Sequence, residues 1–305
     1  MDKKARARTT SEQRALKLVR IAGMYAVAAA VVGAATSAVL TSFFGLLSSS
    51  PQDASAGTQT ARTGGPPVAV VSVSLQRNGA YQGETFIFQN KLNLTNLQLA
   101  DLNRSNSELG QSAFYDSWAR AHGGVDPGTV IIQLILAGNR SYPVRIVNMN
   151  PVGTCTAPLD GTILDSPPAG EDDSALIGFN LDSPDPVAET YSEAQGFGQS
   201  YFEAKTVTLQ YPQQQVFEIV GVTAHHFCQF RIQLTVLEAH KTVRETIGNG
   251  SRPFIVSGGL PLTDYKEVYI GGVMTVQCPG APGGFIRINA RRYKFGVPCS
   301  AYVYR

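Results

Sequence analysis

The stretch TVIIQLILAGNRSYPVRIVNM, residues 129–149, decides the fold class of this 305-residue chain. Two runs rich in β-branched residues, 129–137 and 142–149, flank the tetrapeptide GNRS at 138–141. Val, Ile and Thr favour strands, whereas Gly and Asn favour the tight turns between them. The pattern therefore predicts two strands joined as a β-hairpin.

Similar runs recur on both sides of this stretch. Residues 68–75 alternate apolar and polar side chains, as a half-buried strand does. Further strands are predicted at 175–181, 205–210, 215–223, 226–238, 241–247 and 252–257. Strands at this spacing, divided by Gly, Pro and Asn turns, are typical of an antiparallel Ig-like β-sandwich. We therefore expect a mainly β fold, with a sandwich over 68–258 and a C-terminal β extension over 259–305 that includes strands at 284–294 and 297–304.

Two short helices are expected as an insert near 95–122. Thr95 and Gln98 have the spacing of a capping box, which marks the start of a helix. Farther on, Phe114 and Trp118 are four residues apart, ahead of two glycines at 123–124 that end the pattern. The sandwich is thus predicted to carry two inserted helices.

Residues 21–47, IAGMYAVAAAVVGAATSAVLTSFFGLL, contain no charged residue. A helix of this length rises about 40 Å, and the hydrocarbon core of a membrane is roughly 30 Å thick. The stretch therefore predicts a transmembrane helix. A cleaved signal peptide is the alternative, because Ala54-Ser55-Ala56 fits an A-x-A site, but its apolar stretch would be only about 7–15 residues long.

The net charge indicates an orientation for this helix. Residues 1–20 hold seven basic and two acidic side chains, so this tail has a net charge of +5. The whole chain has a net charge of +2, so residues 21–305 together have a net charge of −3. Basic flanks stay on the cytoplasmic side. We expect a single-pass plasma-membrane protein with a cytoplasmic tail in contact with membrane lipid, a disordered linker at 48–67 and an outer domain. A nearly neutral outer domain does not favour nucleic acid as a partner.

Small residues in the apolar span raise the possibility of a homodimer. Gly33 and Ser37 are four residues apart, a spacing that lets two transmembrane helices approach closely. The alternative is that an alanine-rich span carries such pairs by chance.

The four cysteines, Cys155, Cys228, Cys278 and Cys299, all follow the span, where an oxidising compartment permits disulfides. Three pairings are possible, and we favour Cys155–Cys228 with Cys278–Cys299. Four reduced, buried thiols are the alternative. No C-x-x-C spacing is present, so zinc is not expected.

Acidic residues on two predicted loops are weak calcium candidates, namely Glu171, Asp172, Asp173, Asp182 and Asp185. Calcium binds several oxygen ligands, and loops commonly supply them. However, no D-x-D-x-D-G pattern is present, so a solvated loop is favoured. His225 and His226 are neighbours and would point to opposite faces of a strand. We therefore expect no metal and no cofactor.

No nucleophile or phosphate-binding motif is present, so no catalytic residue is predicted. The run RRYKF at 291–295 interleaves basic and aromatic residues. On a strand, Arg291, Tyr293 and Phe295 would share one face and could bind an anionic polymer by charge and stacking. An ordinary edge strand, with its aromatics inward, is the favoured alternative.

Several segments together resemble a family of uncharacterised single-pass membrane proteins of high-GC Gram-positive bacteria. These segments are GNRSYPVRIVNMNPVGTC (138–155), PLDGTILDSPPAG (158–170), GFNLDSP (178–184), TVTLQYPQQQVFEIVG (206–221) and GSRPFIVSG (250–258). The resemblance spans roughly 68–258 and implies a bacterial protein with an anchored outer β-rich domain. It implies no activity and no functional residues.

Three functions remain open from the sequence. The first is a non-enzymatic envelope protein that binds a protein or polymer or has a structural role. The second is a sensor that couples an outside ligand to a cytoplasmic partner. The third is an envelope hydrolase or transferase, which a pocket holding two or more of a small set of residues would favour. That set is Glu171, Asp172, Asp182, Glu203, His225 and His226.

Overall fold

The computed structural model describes residues 64–77, 85–109, 112–166, 176–271 and 284–293. Over these residues the chain is mainly β, which confirms the predicted class. The tail, the apolar span with Gly33 and Ser37, and most of the linker lie outside the described residues. No helix among those described is both long and apolar enough to cross a membrane.

The strands of the described residues are β1 (Val68–Gln76), β2 (Phe86–Phe88), β3 (Asp126–Pro127), β4 (Thr129–Gly138), β5 (Val144–Thr156), β6 (Thr162–Asp165), β7 (Leu176–Asn180), β8 (Ala188–Ser192), β9 (Gly196–Ser200), β10 (Val207–Leu209), β11 (Gln214–Val222), β12 (Phe227–Glu238), β13 (Lys241–Ile247), β14 (Phe254–Ser257), β15 (Glu267–Ile270) and β16 (Ile286–Ile288). The helices are α1 (Asn96–Leu109), α2 (Ser112–Ala121) and α3 (Tyr201–Ala204), with a 3-10 turn at Leu262–Asp264. The predicted strands at 68–75 and 175–257 are therefore confirmed to within a few residues.

Two six-stranded sheets carry the main hydrophobic core. The first sheet has the order β1-β4-β11-β7-β8-β9, and the second has the order β10-β5-β12-β14-β3 with β13 paired to β12. Alternate side chains of β4, such as Ile132 and Leu134, and of β12, such as Ile232 and Leu234, are fully buried in one shared core. Period-two burial on facing strands explains why both sheets are specified by alternating apolar residues.

The connection at 138–141 is not the predicted hairpin. β4 pairs with β1 and β11 in the first sheet, whereas β5 pairs with β10 and β12 in the second, so the chain changes sheets at this turn. Arg140 fixes the corner by an ion pair with Glu238 and by donating to the carbonyl oxygens of Gly65 and Pro66. Local turn residues specify that the chain bends, and these long-range contacts decide where the next strand lies.

Three strand pairs run parallel, which departs from a purely antiparallel arrangement. β7 pairs with β11, β3 pairs with β14, and β6 pairs with β15 in this way. Parallel neighbours need long connections, so the strands of each pair are far apart in the sequence.

A third, four-stranded sheet has the order β16-β15-β6-β2 and is covered on both faces. One face, with Phe86, Phe88 and Tyr269, packs against α1 and α2. The other face carries Ile87 and contacts Phe227 and Ile255 of the second sheet. The strand β15 comes from the predicted C-terminal extension but pairs with β6, so β15 and β16 complete a sheet begun much earlier in the chain.

Helix α1 begins at the predicted capping box. The Gln98 side chain accepts the Thr95 N–H at 2.9 Å, and the Thr95 hydroxyl accepts the Gln98 N–H at 3.2 Å. The buried face of α2 differs from the pattern that the sequence suggests. Tyr115 and Ala119 are fully buried, whereas Phe114 is 40 % exposed. The third sheet therefore lies against the face of α2 that carries Tyr115 and Ala119, and not against the face that carries Phe114.

Candidate functional site

The predicted disulfide Cys155–Cys228 is confirmed and marks one end of the second sheet. The two cysteines lie directly opposite each other on β5 and β12, with a Cα–Cα distance of 4.1 Å, although 73 positions separate them in the sequence. Cys278 and Cys299 lie outside the described residues. The covalent link holds the ends of the two longest strands of this sheet together.

An open groove of about 690 Å³ lies beside this disulfide. One wall is the end of β5, the other is the loop after β7, and Phe230 of β12 lies between them. The lining residues are Pro151, Val152, Gly153, Thr154, Cys155, Leu181, Asp182, Ser183, Pro184, Asp185, Pro186, His226 and Phe230. This volume falls in the range of sites that bind a small molecule or a peptide segment.

Asp182 holds the turn between β11 and β12 in place at the rim of the groove. Its carboxylate accepts hydrogen bonds from the Thr223 hydroxyl at 2.7 Å, the Ala224 N–H at 2.7 Å and, more weakly, the His225 N–H at 3.4 Å. The Nδ1 atom of His226 lies 2.7 Å from the same carboxylate. Four groups from one turn therefore converge on a single side chain.

These contacts set the protonation state of Asp182. Partial burial on its own would raise the pKa of this carboxyl group, but the Ala224 N–H, the Thr223 hydroxyl and the His226 ring outweigh that effect and lower the pKa to about 2. Hydrogen bonds to the charged form of a carboxyl group favour that form. Asp182 is therefore a carboxylate throughout the physiological pH range.

The Nε2 atom of His226 is the nitrogen that a catalytic nucleophile would have to contact. The His226 side chain is 42 % exposed and lines the groove, with Nδ1 oriented by Asp182. A hydrolytic triad would also need a serine, threonine or cysteine hydrogen-bonded to Nε2. In the described part of the chain, no hydroxyl or thiol group makes that hydrogen bond. The arrangement orients the His226 ring at the groove, and among the described residues no nucleophile is hydrogen-bonded to it.

The calcium candidates are divided between the groove and residues that are not described. Asp182 and Asp185 both line the groove, whereas Glu171, Asp172 and Asp173 lie outside the described residues. Within the described ranges, no group of three or more His, Cys, Asp or Glu side chains could hold a metal ion. The Asp182 oxygens that calcium would need are already occupied by donors from the protein.

The remaining polar candidates are dispersed. His122 contacts the Trp118 carbonyl oxygen at 2.7 Å and stacks on the Trp118 ring, so it belongs to the end of α2. Glu203 lies on α3 and His240 lies in the turn between β12 and β13. Among these polar candidates, Asp182 and His226 are thus a pair whose side chains the fold brings into hydrogen-bond contact, 44 positions apart in sequence.

The basic run near the C-terminus borders a second, smaller cleft of about 300 Å³. Residues 289–292 form a turn after β16, which contradicts the strand predicted through residue 294 and with it the shared face of Arg291 and Tyr293. Tyr293 instead packs against the apolar cluster of the third sheet. Phe295 lies outside the described residues. Arg291 lines the cleft together with two other cations, Lys266 and Arg287.

The charges of this smaller cleft are largely compensated. Lys266 pairs with Asp160 at 2.7 Å, and Arg287 pairs with Glu267 at 2.9 Å. Arg291 is the only one of the three cations without an acidic partner among the described residues. One uncompensated cation gives a weak basis for binding an anionic polymer.

Comparison with known protein-family models, curated proteins and solved structures finds no match for this chain.

Proposed function

We propose that this chain is a membrane-anchored, extracytoplasmic binding protein of the cell envelope, without catalytic activity. In this proposal residues 21–47 anchor the protein, residues 1–20 face the cytoplasm, and the β-rich part is an Ig-like sandwich that faces outward. The uncharged span and the +5 tail support the anchor and its orientation. The disulfide supports an oxidising compartment.

The groove beside the disulfide carries the binding function. It is wide enough for a ligand, and the two acidic side chains among its described lining residues, Asp182 and Asp185, lie on one wall. Asp182 is engaged in holding the neighbouring turn, and His226 lacks a nucleophile among the described residues. A groove with acidic charge and an oriented histidine, in which no described nucleophile contacts that histidine, is suited to binding.

Site-specific crosslinking in the producing cell tests this function. A photo-reactive residue is placed at position 185, in the groove, and at position 264, which is exposed in the 3-10 turn of the third-sheet region. We expect position 185 of the full-length chain to give a defined envelope adduct that position 264 does not give. Equal or no adducts from both positions, in cells where the protein is membrane-inserted, would contradict a binding role for the groove.

An envelope hydrolase is the second candidate, because Asp182 and His226 form a hydrogen-bonded pair in a groove. In such an enzyme a groove hydroxyl, on Thr154 or Ser183, would have to move to His226 when substrate binds. The full-length chain incubated with ester, peptide and glycan substrates tests this. Turnover that falls at least about 100-fold in His226→Asn would establish the hydrolase and exclude the non-catalytic proposal.

A further inference from the structure

The end of β5 is an open sheet edge. β10 pairs with β5 only at Val144–Ile146, whereas β12 pairs along its other side as far as Thr156. Among the described residues, nothing pairs with the backbone of residues 150–156 on the side away from β12. The groove is formed between this edge and the loop at 181–186.

The register shows which backbone groups face the open side. In antiparallel pairs, residues whose N–H and C=O point away from the partner strand have the shorter Cα–Cα distance, near 4.5 Å. The Cys155–Cys228 pair, at 4.1 Å, is of this kind. Pro151, which has no N–H, occupies the same alternating set opposite Ile232.

Gly153 lies between these two residues and follows the same alternation, opposite Phe230. A Cβ atom at position 153 would lie 2.0 Å from the Gln229 carbonyl oxygen, so only glycine fits this close approach of the strands. The N–H and C=O groups of Gly153 and Cys155, and the C=O of Pro151, therefore face outward at two-residue intervals. This is the hydrogen-bonding pattern that an added strand needs.

The charge of the groove limits what can occupy it. Asp182 and Asp185 are on the wall facing the open edge, and no Lys or Arg is among the described residues that line the groove. A second copy of this chain, paired edge to edge about a two-fold axis, would bring the same acidic walls together and be repelled. An extended segment with basic side chains satisfies both the backbone groups and the carboxylates.

We propose that the outer edge of β5 at Gly153 and Cys155 binds an extended, Lys- or Arg-bearing peptide segment of another envelope protein, which joins the second sheet as an additional strand. This inference rests on the proposed binding function and names its partner class. Backbone pairing with β5 supplies the affinity, and the exposed Asp185 carboxylate selects basic side chains.

Three synthetic peptides separate strand addition from simple charge attraction. The probe is an eight-residue peptide of alternating Lys and Thr, and the second peptide replaces every Lys with Glu. The third keeps the Lys side chains but is N-methylated at every residue, so neither of its edges keeps a strand-pairing donor. Binding to the full-length chain in nanodiscs is measured by fluorescence anisotropy, and hydrogen exchange reports on residues 151–156.

We expect the Lys–Thr peptide to bind about tenfold or more tightly than both other peptides and to slow exchange of the Gly153 and Cys155 amides. Asp185→Lys should weaken this binding about tenfold or more. The same charge reversal at Asp264, far from the groove in sequence and exposed, is the matched control and should leave binding unchanged.

The proposal is wrong if the N-methylated peptide binds as well as the parent, because charge alone would then explain binding. It is also wrong if Asp185→Lys has no effect, if exchange at 151–156 is unaltered, or if the chain forms a dimer through this edge. A failure of these peptides together with a groove-specific crosslink at position 185 would overturn strand addition and leave the binding function intact. Failure of both experiments would overturn the binding function itself.

Discussion

Two carboxylates, Asp182 at the groove and Glu267 in the third sheet, are each surrounded by donors, but their settings differ. Glu267 has a fully buried side chain that accepts from the Asn93 N–H at 2.9 Å and from the Tyr269 hydroxyl at 3.1 Å, and it pairs with Arg287. Asp182 collects a comparable set of donors, all from one turn, at the rim of an open groove.

The difference shows how a carboxylate surrounded by hydrogen-bond donors can serve either stability or function. Glu267 connects three separate parts of the chain inside the third-sheet region, so its removal leaves buried donors unsatisfied. Asp182 fixes one local turn and keeps a charged edge facing solvent, so water can replace part of its interactions. We therefore expect stability to depend more on the Glu267 carboxylate than on the Asp182 carboxylate, and binding to depend more on the groove.

The largest expected effect is at the groove end and comes from its covalent link. Replacing both Cys155 and Cys228 with Ala frees a loop of 73 residues in the unfolded chain. In the chain-entropy model this lowers the free energy of unfolding by roughly 4 kcal/mol. Denaturant unfolding of the wild-type and double-variant full-length chains measures this loss of free energy. Both chains are also unfolded in the presence of reductant. An unchanged midpoint in the double variant would show that the disulfide does not stabilise this end.

Glu267→Gln should have the next largest effect, a loss of about 3 kcal/mol, because it leaves Arg287 and buried donors without their carboxylate. It should also act on Tyr269, whose pKa is raised to about 12 by burial and by the neighbouring Glu267 charge. Ultraviolet titration should find this pKa lower in the variant. Glu203→Gln, the same change at an exposed position, is the control. Equal free energies of unfolding for Glu267→Gln and Glu203→Gln would contradict the expected dependence of stability on the buried Glu267 carboxylate.

The positions of the longer strands were predictable, whereas several short strands, such as β6 and β8, and the strand partners were not. Alternating apolar residues specify strands such as β12 and β13, because the alternation of buried and exposed side chains depends only on neighbouring residues. The turn at 138–141 gives no sign that β5 crosses to the other sheet, since that depends on the distant contacts of Arg140. The capping box at Thr95 was predictable because both of its partners lie within one turn.

The candidate site was predictable only in fragments. Asp182 and His226 were candidates only as separate residues, and the oxidising compartment permitted disulfides without selecting which cysteines pair. The groove arises because the end of β5 extends beyond its pairing with β10 and lies opposite the loop at 181–186. No local sequence pattern encodes such a difference in strand length, so the open edge was missed.

Asp182→Asn should lower stability by about 1 kcal/mol near neutral pH, a smaller loss than at Glu267 because this site is partly solvated. The folded-state pKa of about 2 lies below the ordinary value of 3.8, so the wild-type contribution is complete above about pH 4 and is lost as the pH falls toward 2. The stability difference between variant and wild type should therefore shrink over that interval in acid titrations followed by circular dichroism. A parallel acid curve for Asp182→Asn and wild type would assign the acid sensitivity to other groups.

The smallest effect is expected at the Lys266–Asp160 pair, which borders the same cleft as Glu267 but is about half exposed on both sides. Exposed ion pairs contribute little because water screens the charges and two long side chains lose freedom when they pair. Asp160→Asn should therefore change the free energy of unfolding by less than about 0.5 kcal/mol, measured by the same denaturant unfolding. The Lys266–Asp160 distance of 2.7 Å is shorter than the Arg287–Glu267 distance of 2.9 Å. A ranking of the two ion pairs by distance alone would therefore give Lys266–Asp160 the larger contribution to stability. A loss at Asp160 as large as that of Glu267→Gln would show that burial is not what separates the two sites, and the expected contrast between Glu267 and the solvated Asp182 would lose its physical basis.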